Sequence, residues 1–179
     1  MIKEKEIFND VYKFELENHD DDRGFFSEIY KKTDLIEKIN KGAFIQDNLS
    51  FSKSVNTIRG LHYQLEPFDQ SKYVIVLQGS IWDVFIDLRE ESPTFLEYGF
   101  IELNQNQSTI LIPKGFAHGF CTLTENTLVL YKVDNFYSKK HEKGIVWNDK
   151  TLNIPWPLKD QDIIISDRDK ELPSLELKK

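Results

Sequence analysis

The 179-residue sequence predicts an all-β protein, an antiparallel sandwich or barrel, and three observations carry that reading. Apolar residues alternate with a period near two in most of the periodic segments. Those segments are rich in Val, Ile, Phe and Tyr, as half-buried strands require. Helix signals are few.

In chain order, the first periodic segment is the one helix near the front, residues 32–40, with Thr33 as its N-cap and Gly42 just past its end. Residues 44–52 and 58–64 are strands separated by the polar Lys53-Ser54-Val55-Asn56. Residues 73–77, the turn Gln78-Gly79-Ser80 and residues 81–88 read as strand, turn, strand, with Gly79 supplying the turn conformation. A similar pair follows, residues 100–103 and 108–112 around the polar turn at 104–107, and residues 127–134 form a further strand. Residues 149–157 resist regular structure, because Pro155 and Pro157 fix φ and remove donors. The tail from Glu171 is expected to be polar and loose, apart from residues 173–177. No internal repeat and no Ser/Gly linker divides the chain, so residues 1–179 are expected to form one domain.

Composition supports a packed domain: 40% hydrophobic and 13% aromatic residues, with only 8 Gly and 6 Pro, exclude disorder and collagen-like repeats. Lys+Arg 23 against Asp+Glu 30 gives −7, which argues against a general nucleic-acid surface, so any anionic ligand needs a local basic cluster. The single Cys121 cannot close an internal disulfide, which fits a reducing cytosol, and its apolar neighbours favour a buried thiol over a nucleophile. Residues 1–10 are charged, and no apolar run approaches the ~20 residues of a membrane span, so a soluble cytoplasmic protein is expected.

Two of the four histidines lie in apolar, Gly-flanked contexts: His62 in Arg59-Gly60-Leu61-His62-Tyr63-Gln64, and His118 in Pro113-Lys114-Gly115-Phe116-Ala117-His118-Gly119-Phe120. A histidine pointing into a barrel is a base, a metal ligand or a satisfied core residue, and the residues alone leave these open. His19 and His141 sit in charged stretches and read as solvated. With neither His-x-His nor Cys-x-x-Cys, a metal site is not expected. Arg23, Arg59 and Lys72 flank apolar or Gly-rich strand ends and would clamp a phosphate if the strands converge; the alternative is ordinary surface charge. Without a Gly-rich phosphate loop, a nucleotide must be held by side chains. Tyr131, within Leu128-Val129-Leu130-Tyr131-Lys132-Val133, is either a core ring or a proton donor.

Several segments occur in a specific order. They begin with Asp22-Arg23-Gly24-Phe25-Phe26, Gln46-Asp47-Asn48 with Ser50 and Ser52, and the His62 segment followed by Pro67, Gln70 and Lys72. Asp83-Val84-Phe85-Ile86-Asp87-Leu88-Arg89, the His118 segment, Tyr131-Lys132, Tyr137-Ser138, Glu142, Gly144, Trp147-Asn148-Asp149 and Ser166-Asp167-Arg168-Asp169 complete the set. In this order, from about residue 7 to 173, the chain resembles the dTDP-4-dehydrorhamnose 3,5-epimerase family.

That resemblance implies a cupin-type jelly-roll β-sandwich with a few short helices, and a homodimer whose N-terminal strand crosses to the partner sheet. It implies cofactor-free inversion of C3 and C5 of dTDP-4-dehydro-6-deoxy-D-glucose, giving dTDP-4-dehydro-L-rhamnose for the L-rhamnose of surface polysaccharide such as O-antigen. His62 matches the base, Asp169 the carboxylate paired with it, Tyr131 the proton donor on the opposite face of the sugar, and Lys72 a group stabilising the enolate oxygen. Arg23, Phe26, Glu28, Gln46, Asp47, Asn48, Arg59, His118, Tyr137, Glu142 and Arg168 match ligand contacts, with Arg23 and Arg59 on the diphosphate and Tyr137 on the thymine. The family usually has Lys where this chain has Arg168, which keeps the charge and changes its geometry. The nearest rivals are an enzyme inverting one centre or isomerising a related keto sugar and, from another class, a noncatalytic sugar-nucleotide-binding cupin.

Overall fold

The computed structural model describes residues 3–35, 37–39, 42–158 and 162–175. In chain order the elements are β1 (Lys3–Phe8), β2 (Val11–Glu15), β3 (Asn18–Asp21), β4 (Gly24–Ser27), α1 (Lys32–Leu35), β5 (Gln46–Ser52) and β6 (Ile58–Gln64). They continue with β7 (Lys72–Gln78), β8 (Ser80–Asp87), β9 (Tyr98–Asn104), β10 (Ser108–Ile112), β11 (Phe116–Thr122), β12 (Thr127–Val133), β13 (Glu142–Gly144) and α2 (Asp167–Lys170). One sheet has six strands in the order β1-β2-β10-β7-β12-β5, a second has five in the order β13-β6-β11-β8-β9, and β3 pairs with β4 alone. The all-β sandwich expected from the sequence is the one that forms.

Period-two alternation decides what each strand buries. Val74 and Val76 of β7 point between the sheets, where they meet Ile81 and Phe85 of β8, Phe116 and Phe120 of β11, and Val129 of β12. Tyr73 and Ile75 face the other way and pack with Phe14, Leu111, Leu35 and Ile39. On the second sheet, Trp82, Val84 and Ile86 turn outward beneath Ile145, Leu152 and Ile154. Both faces of β8 are therefore covered, which is why it is buried along its whole length. Each fully buried aliphatic or aromatic side chain contributes roughly 1.5–3 kcal/mol relative to exposure.

The same alternation carries polar groups into one end of the interior. Lys72 stands two residues before Val74, Tyr131 two after Val129, Asp83 between Ile81 and Phe85, and His118 between Phe116 and Phe120. The strands that form the core thus also aim a titratable cluster into the sandwich.

The strand, turn, strand expected around Gly79 forms, with β7 in the first sheet and β8 in the second, and Gly79 (φ +81°) turns the chain from one to the other. The pair β9 and β10 divides between the sheets in the same way. The helix expected at 32–40 is a single turn, Lys32–Leu35, with Thr33 inside it, followed by turn residues 37–39; residues 36 and 40 lie outside the described residues. So short a helix has little stability of its own and is held by packing Leu35 and Ile39 on the sheet. The stretch 173–177, set apart from the loose tail in the sequence, is held where it is described: Val146 N donates to Pro173 O (2.9 Å) and Leu175 N to the Asp149 carboxylate (2.7 Å). Residues 176 and 177 of the expected apolar stretch lie outside the described residues. His141 is half-buried rather than solvated, with its ring 4.7 Å from that of Phe68 and Nδ1 2.8 Å from Ser138 Oγ. Residues 149–157 hold neither helix nor strand, as expected.

The closest backbone approach lies where β6 meets β11. Gly60 has φ +113°, and a Cβ there would stand 2.7 Å from both Gly119 Cα and His118 O. Gly60→Ala is therefore expected to lose about 1–3 kcal/mol of stability, read as a lower denaturant midpoint at unchanged m-value.

Candidate active site

A cavity of about 700 Å³ opens at the polar end of the sandwich, lined by residues of both sheets and of the C-terminal turn. The register of β11 on β6 sets His118 opposite His62. Lys72 and Tyr131 reach the cavity from β7 and β12 of the other sheet. Asp169 comes from the far end of the chain, on α2, whose N-cap Ser166 accepts the Asp169 N–H through Oγ (3.1 Å).

The His62 ring is bonded on one side only. Its Nε2 lies 2.9 Å from Asp169 Oδ1, and Asp169 Oδ2 accepts the Gly60 N–H (3.2 Å). Burial alone would raise the Asp169 carboxyl, but hydrogen bonds from His62, Gly60 and Ser166 outweigh it and hold the group below its ordinary value. An ionised Asp169 accepts a proton-bearing Nε2, so Nδ1 is left with the free lone pair. Nδ1 is buried without a hydrogen-bond partner, and Glu142 Oε1 stands 3.9 Å away.

Four further groups shape the field. Lys72 donates from Nζ to the His62 carbonyl (3.0 Å); burial lowers its ammonium to about 8, with the charges of Asp83 and Glu142 opposing the shift. Burial raises the Tyr131 phenol while Arg59 opposes, so it stays protonated at neutral pH. Glu142 accepts from Tyr137 OH (2.6 Å) and from Arg168, contacts that outweigh burial and hold it below the usual carboxylate range. Arg59 is tethered at the rim, donating to Ser52 Oγ (3.0 Å) and Phe51 O (2.8 Å).

His62, Lys72, Tyr131, Asp169, Arg59, His118, Tyr137, Glu142 and Arg168 thus line one cavity. The remaining residues picked out from the sequence do not. Arg23, on the β3–β4 turn, has a side chain 89% exposed and ion-paired with Asp21 (2.6 Å), and Phe26 and Glu28 are exposed on or beyond the same hairpin. Gln46 and Asn48 bond each other (2.7 Å), and Asp47 pairs with Lys132 (2.6 Å). The sequence reading passed over Gln64, Ser166 and, behind the cavity, Asp83, whose signal was a lone acid in the apolar run Ile81-Trp82-Asp83-Val84-Phe85. Cys121 is fully buried and its thiol is pushed up to about 11 by burial, so it is no nucleophile. Among the described residues no group of three or more His, Cys, Asp or Glu is arranged to hold a metal ion.

A family model described as dTDP-4-dehydrorhamnose 3,5-epimerase matches residues 5–176. The dTDP-4-dehydrorhamnose 3,5-epimerase of Shigella flexneri is 44% identical over 162 residues, 89% of this chain and 88% of that protein. A crystal structure of the Bacillus anthracis dTDP-4-dehydrorhamnose 3,5-epimerase with TDP and PPi bound superposes with a TM-score of 0.89 at 47% identity, covering 97% of this chain and 100% of that one. The Legionella pneumophila dTDP-6-deoxy-D-glucose-3,5-epimerase, in complex with dTDP-4-keto-L-rhamnose, gives 0.88 at 32% identity over 99% and 100% of the two chains. The sandwich is therefore of the cupin type.

Lys72 also sets a stability prediction. Its folded value of about 8 lies below the ordinary 10.5, so between these pH values the unfolded chain holds a proton that the folded one has released. Stability gains from this group as pH rises through that window, by up to about 3 kcal/mol. Denaturant midpoints from pH 7 to beyond about pH 10 should show the increment in the wild type and lack it in Lys72→Met.

Proposed function

The chain belongs to the dTDP-4-dehydrorhamnose 3,5-epimerase family, and from that premise we propose that His62 and Tyr131 invert C3 and C5 of its keto-sugar substrate by proton transfer from opposite sheets. The enzyme is an isomerase acting on dTDP-4-dehydro-6-deoxy-D-glucose, in dTDP-L-rhamnose biosynthesis. The observation that carries the mechanism is the one-sided bonding of His62: Asp169 holds Nε2, Nδ1 carries no hydrogen bond, and His62 and Tyr131 line the same cavity.

Each step follows from the chemistry of these groups. The C4 ketone acidifies the protons on C3 and C5, because either carbanion delocalises into an enolate. His62 Nδ1 removes the proton, and Asp169 stabilises the imidazolium that results. The Lys72 ammonium, charged below about pH 8, faces the negative charge that develops on the C4 oxygen. Tyr131, neutral and on the opposite sheet, returns a proton to the other face of the carbon, and the centre inverts. A base and a donor on the same face of the carbon would restore the original configuration.

We place the diphosphate on Arg59 and Arg168 at the rim, where guanidinium forks match its oxygens, and the thymine on Tyr137. The exposed hairpin bearing Arg23 and Phe26, with Glu28 just beyond it, supports a homodimer in which those residues act beyond their own chain's cavity, and the exposed Leu49 and Phe51 of the edge strand β5 offer apolar surface to a partner. Among the described residues no helix is long and apolar enough to cross a membrane. We place the enzyme in the cytoplasm, supplying rhamnose for surface polysaccharide, with residues 1–179 as one domain and no cofactor.

Incubation with dTDP-4-dehydro-6-deoxyglucose in deuterated water, followed by NMR at each carbon, should show label at both C3 and C5. Label at one carbon alone would mark a single-centre epimerase, and label at neither would refute the reading. His62→Ala is expected to abolish exchange, whereas Tyr131→Phe should retain some exchange while losing epimerisation. Complete loss of exchange in both variants would argue against separate base and donor.

A further inference from the structure

After one inversion the base is in the wrong state for a second. At each centre one proton arrives on His62 Nδ1 and one leaves Tyr131, so the first inversion ends with an imidazolium and a phenolate. A second inversion on the same sugar requires Nδ1 to give its proton up and the phenol to be reloaded.

Nε2 of His62 offers no exit, because it already shares its proton with Asp169, whose other oxygen accepts the Gly60 N–H. Nδ1 carries no hydrogen bond, and Glu142 of β13 brings a carboxylate oxygen, Oε1, to 3.9 Å. The pairing of β13 with β6 sets Glu142 opposite Gln64, two residues from His62 and on the same face of the sheet. The other contacts of Glu142, from Tyr137 OH (2.6 Å) and Arg168, both fall on Oε2, which leaves Oε1 to His62. Asp83, the buried acid behind the cavity, meets His118 (2.8 Å) instead.

The spacing of 3.9 Å suits a group that acts after the proton has moved. While Nδ1 carries a lone pair, it and Oε1 are both acceptors and stand apart. Once Nδ1 holds the proton it is a donor, and a side-chain movement of about 1 Å makes a charge-assisted hydrogen bond to Oε1. Against burial, Tyr137 and Arg168 hold Glu142 below the usual carboxylate range, so it is ionised and ready to accept, and for the same reason it does not keep the proton. Tyr137 is 50% exposed and the Arg168 side chain 61%, so Glu142 stands between the buried base and the solvent at the rim.

We propose that Glu142 is the proton exit of the base: Nδ1 passes to Oε1 the proton taken from the sugar, Glu142 releases it to water at the rim, a solvent proton reloads Tyr131, and His62 is free for the second centre. One proton leaves and one enters for each inversion. The inference rests on the two-centre mechanism proposed above and adds the step that lets one histidine act twice. The family resemblance gives Glu142 a ligand contact. A contact alone acts on both centres alike, whereas a proton exit acts between them.

Rapid-quench turnover of dTDP-4-dehydro-6-deoxyglucose in deuterated water, with enzyme in excess, separates these roles by timing the label at each carbon. In wild type both labels should appear within one turnover. Glu142→Gln keeps the size of the side chain and can still accept from Tyr137 and Arg168, but takes up no proton. In that variant the ratio of second to first labelling rate should fall about tenfold or more, so that singly labelled sugar accumulates. Equal slowing at both carbons, or slowing at neither, would overturn the proposal and leave the epimerase reading intact. Wild type that labels fewer than two carbons would overturn the two-centre reading and the proposal with it. Where Glu142→Gln does not fold, Glu142→Asp keeps the charge and draws the carboxylate back from Nδ1 by one methylene. The same ratio should then fall to a smaller extent, and an unchanged ratio would overturn the proposal.

Discussion

The hydrogen bond between Asp169 and His62 joins residues 107 apart in sequence and ties the end of the chain to the middle strands of the fold. Its geometry requires three things at once. β6 must present His62 inward, Ile145, Leu152, Ile154 and Trp156 must cover the outer face of the second sheet, and α2 must be capped by Ser166 so that Asp169 is aimed at the ring. The same carboxylate accepts the Gly60 N–H, in the strand that presses against Gly119 of β11. One buried acid thus holds the ring of His62 and the strand that carries it.

The apolar and polar parts of the interior are one structure with two chemistries. Alternation sends Val74, Val76, Ile81, Phe85, Phe120 and Val129 inward, and on the same strands, at the same parity, Lys72, Asp83, His118 and Tyr131. The apolar half supplies the burial that holds the sheets together. The polar half gives up some of that stability to hold charges out of water, where, in the proposed mechanism, they act strongly on a developing enolate. In the mechanism we propose, base and donor come from facing sheets because a sandwich offers two inner faces, and inversion at carbon needs groups on both sides of the substrate.

Much of this was legible in the sequence, and the reasons for the exceptions are physical. β5, β6, β7, β8, β10 and β12 announce themselves by alternation and β-branched residues. β11 does not, because both its faces are covered and it mixes Phe116 and Phe120 with Ala117, Gly119 and Cys121. β1 was hidden by its charge: Lys3-Glu4-Lys5-Glu6 lies on the sheet edge, where charged residues discourage pairing with other chains. The exchange of strands between sheets at Gly79 was invisible, since a strand-turn-strand pattern does not say which partner each strand takes. The cavity gathers most of the residues that the family resemblance named. Those it leaves out lie on the β3–β4 hairpin, just beyond it at Glu28, or at the start of the edge strand β5, of which only the later residues Leu49, Ser50 and Phe51 line the cavity.

In the proposed mechanism Asp169 holds His62 so that Nδ1 is the free base, and single-turnover proton exchange by Asp169→Asn measures that directly. With the sheet content and melting temperature close to wild type, solvent deuterium should enter C3 and C5 roughly 10²–10⁴-fold more slowly than in the wild type. An Asp169→Asn enzyme that folds normally and exchanges both protons at the wild-type rate would contradict it.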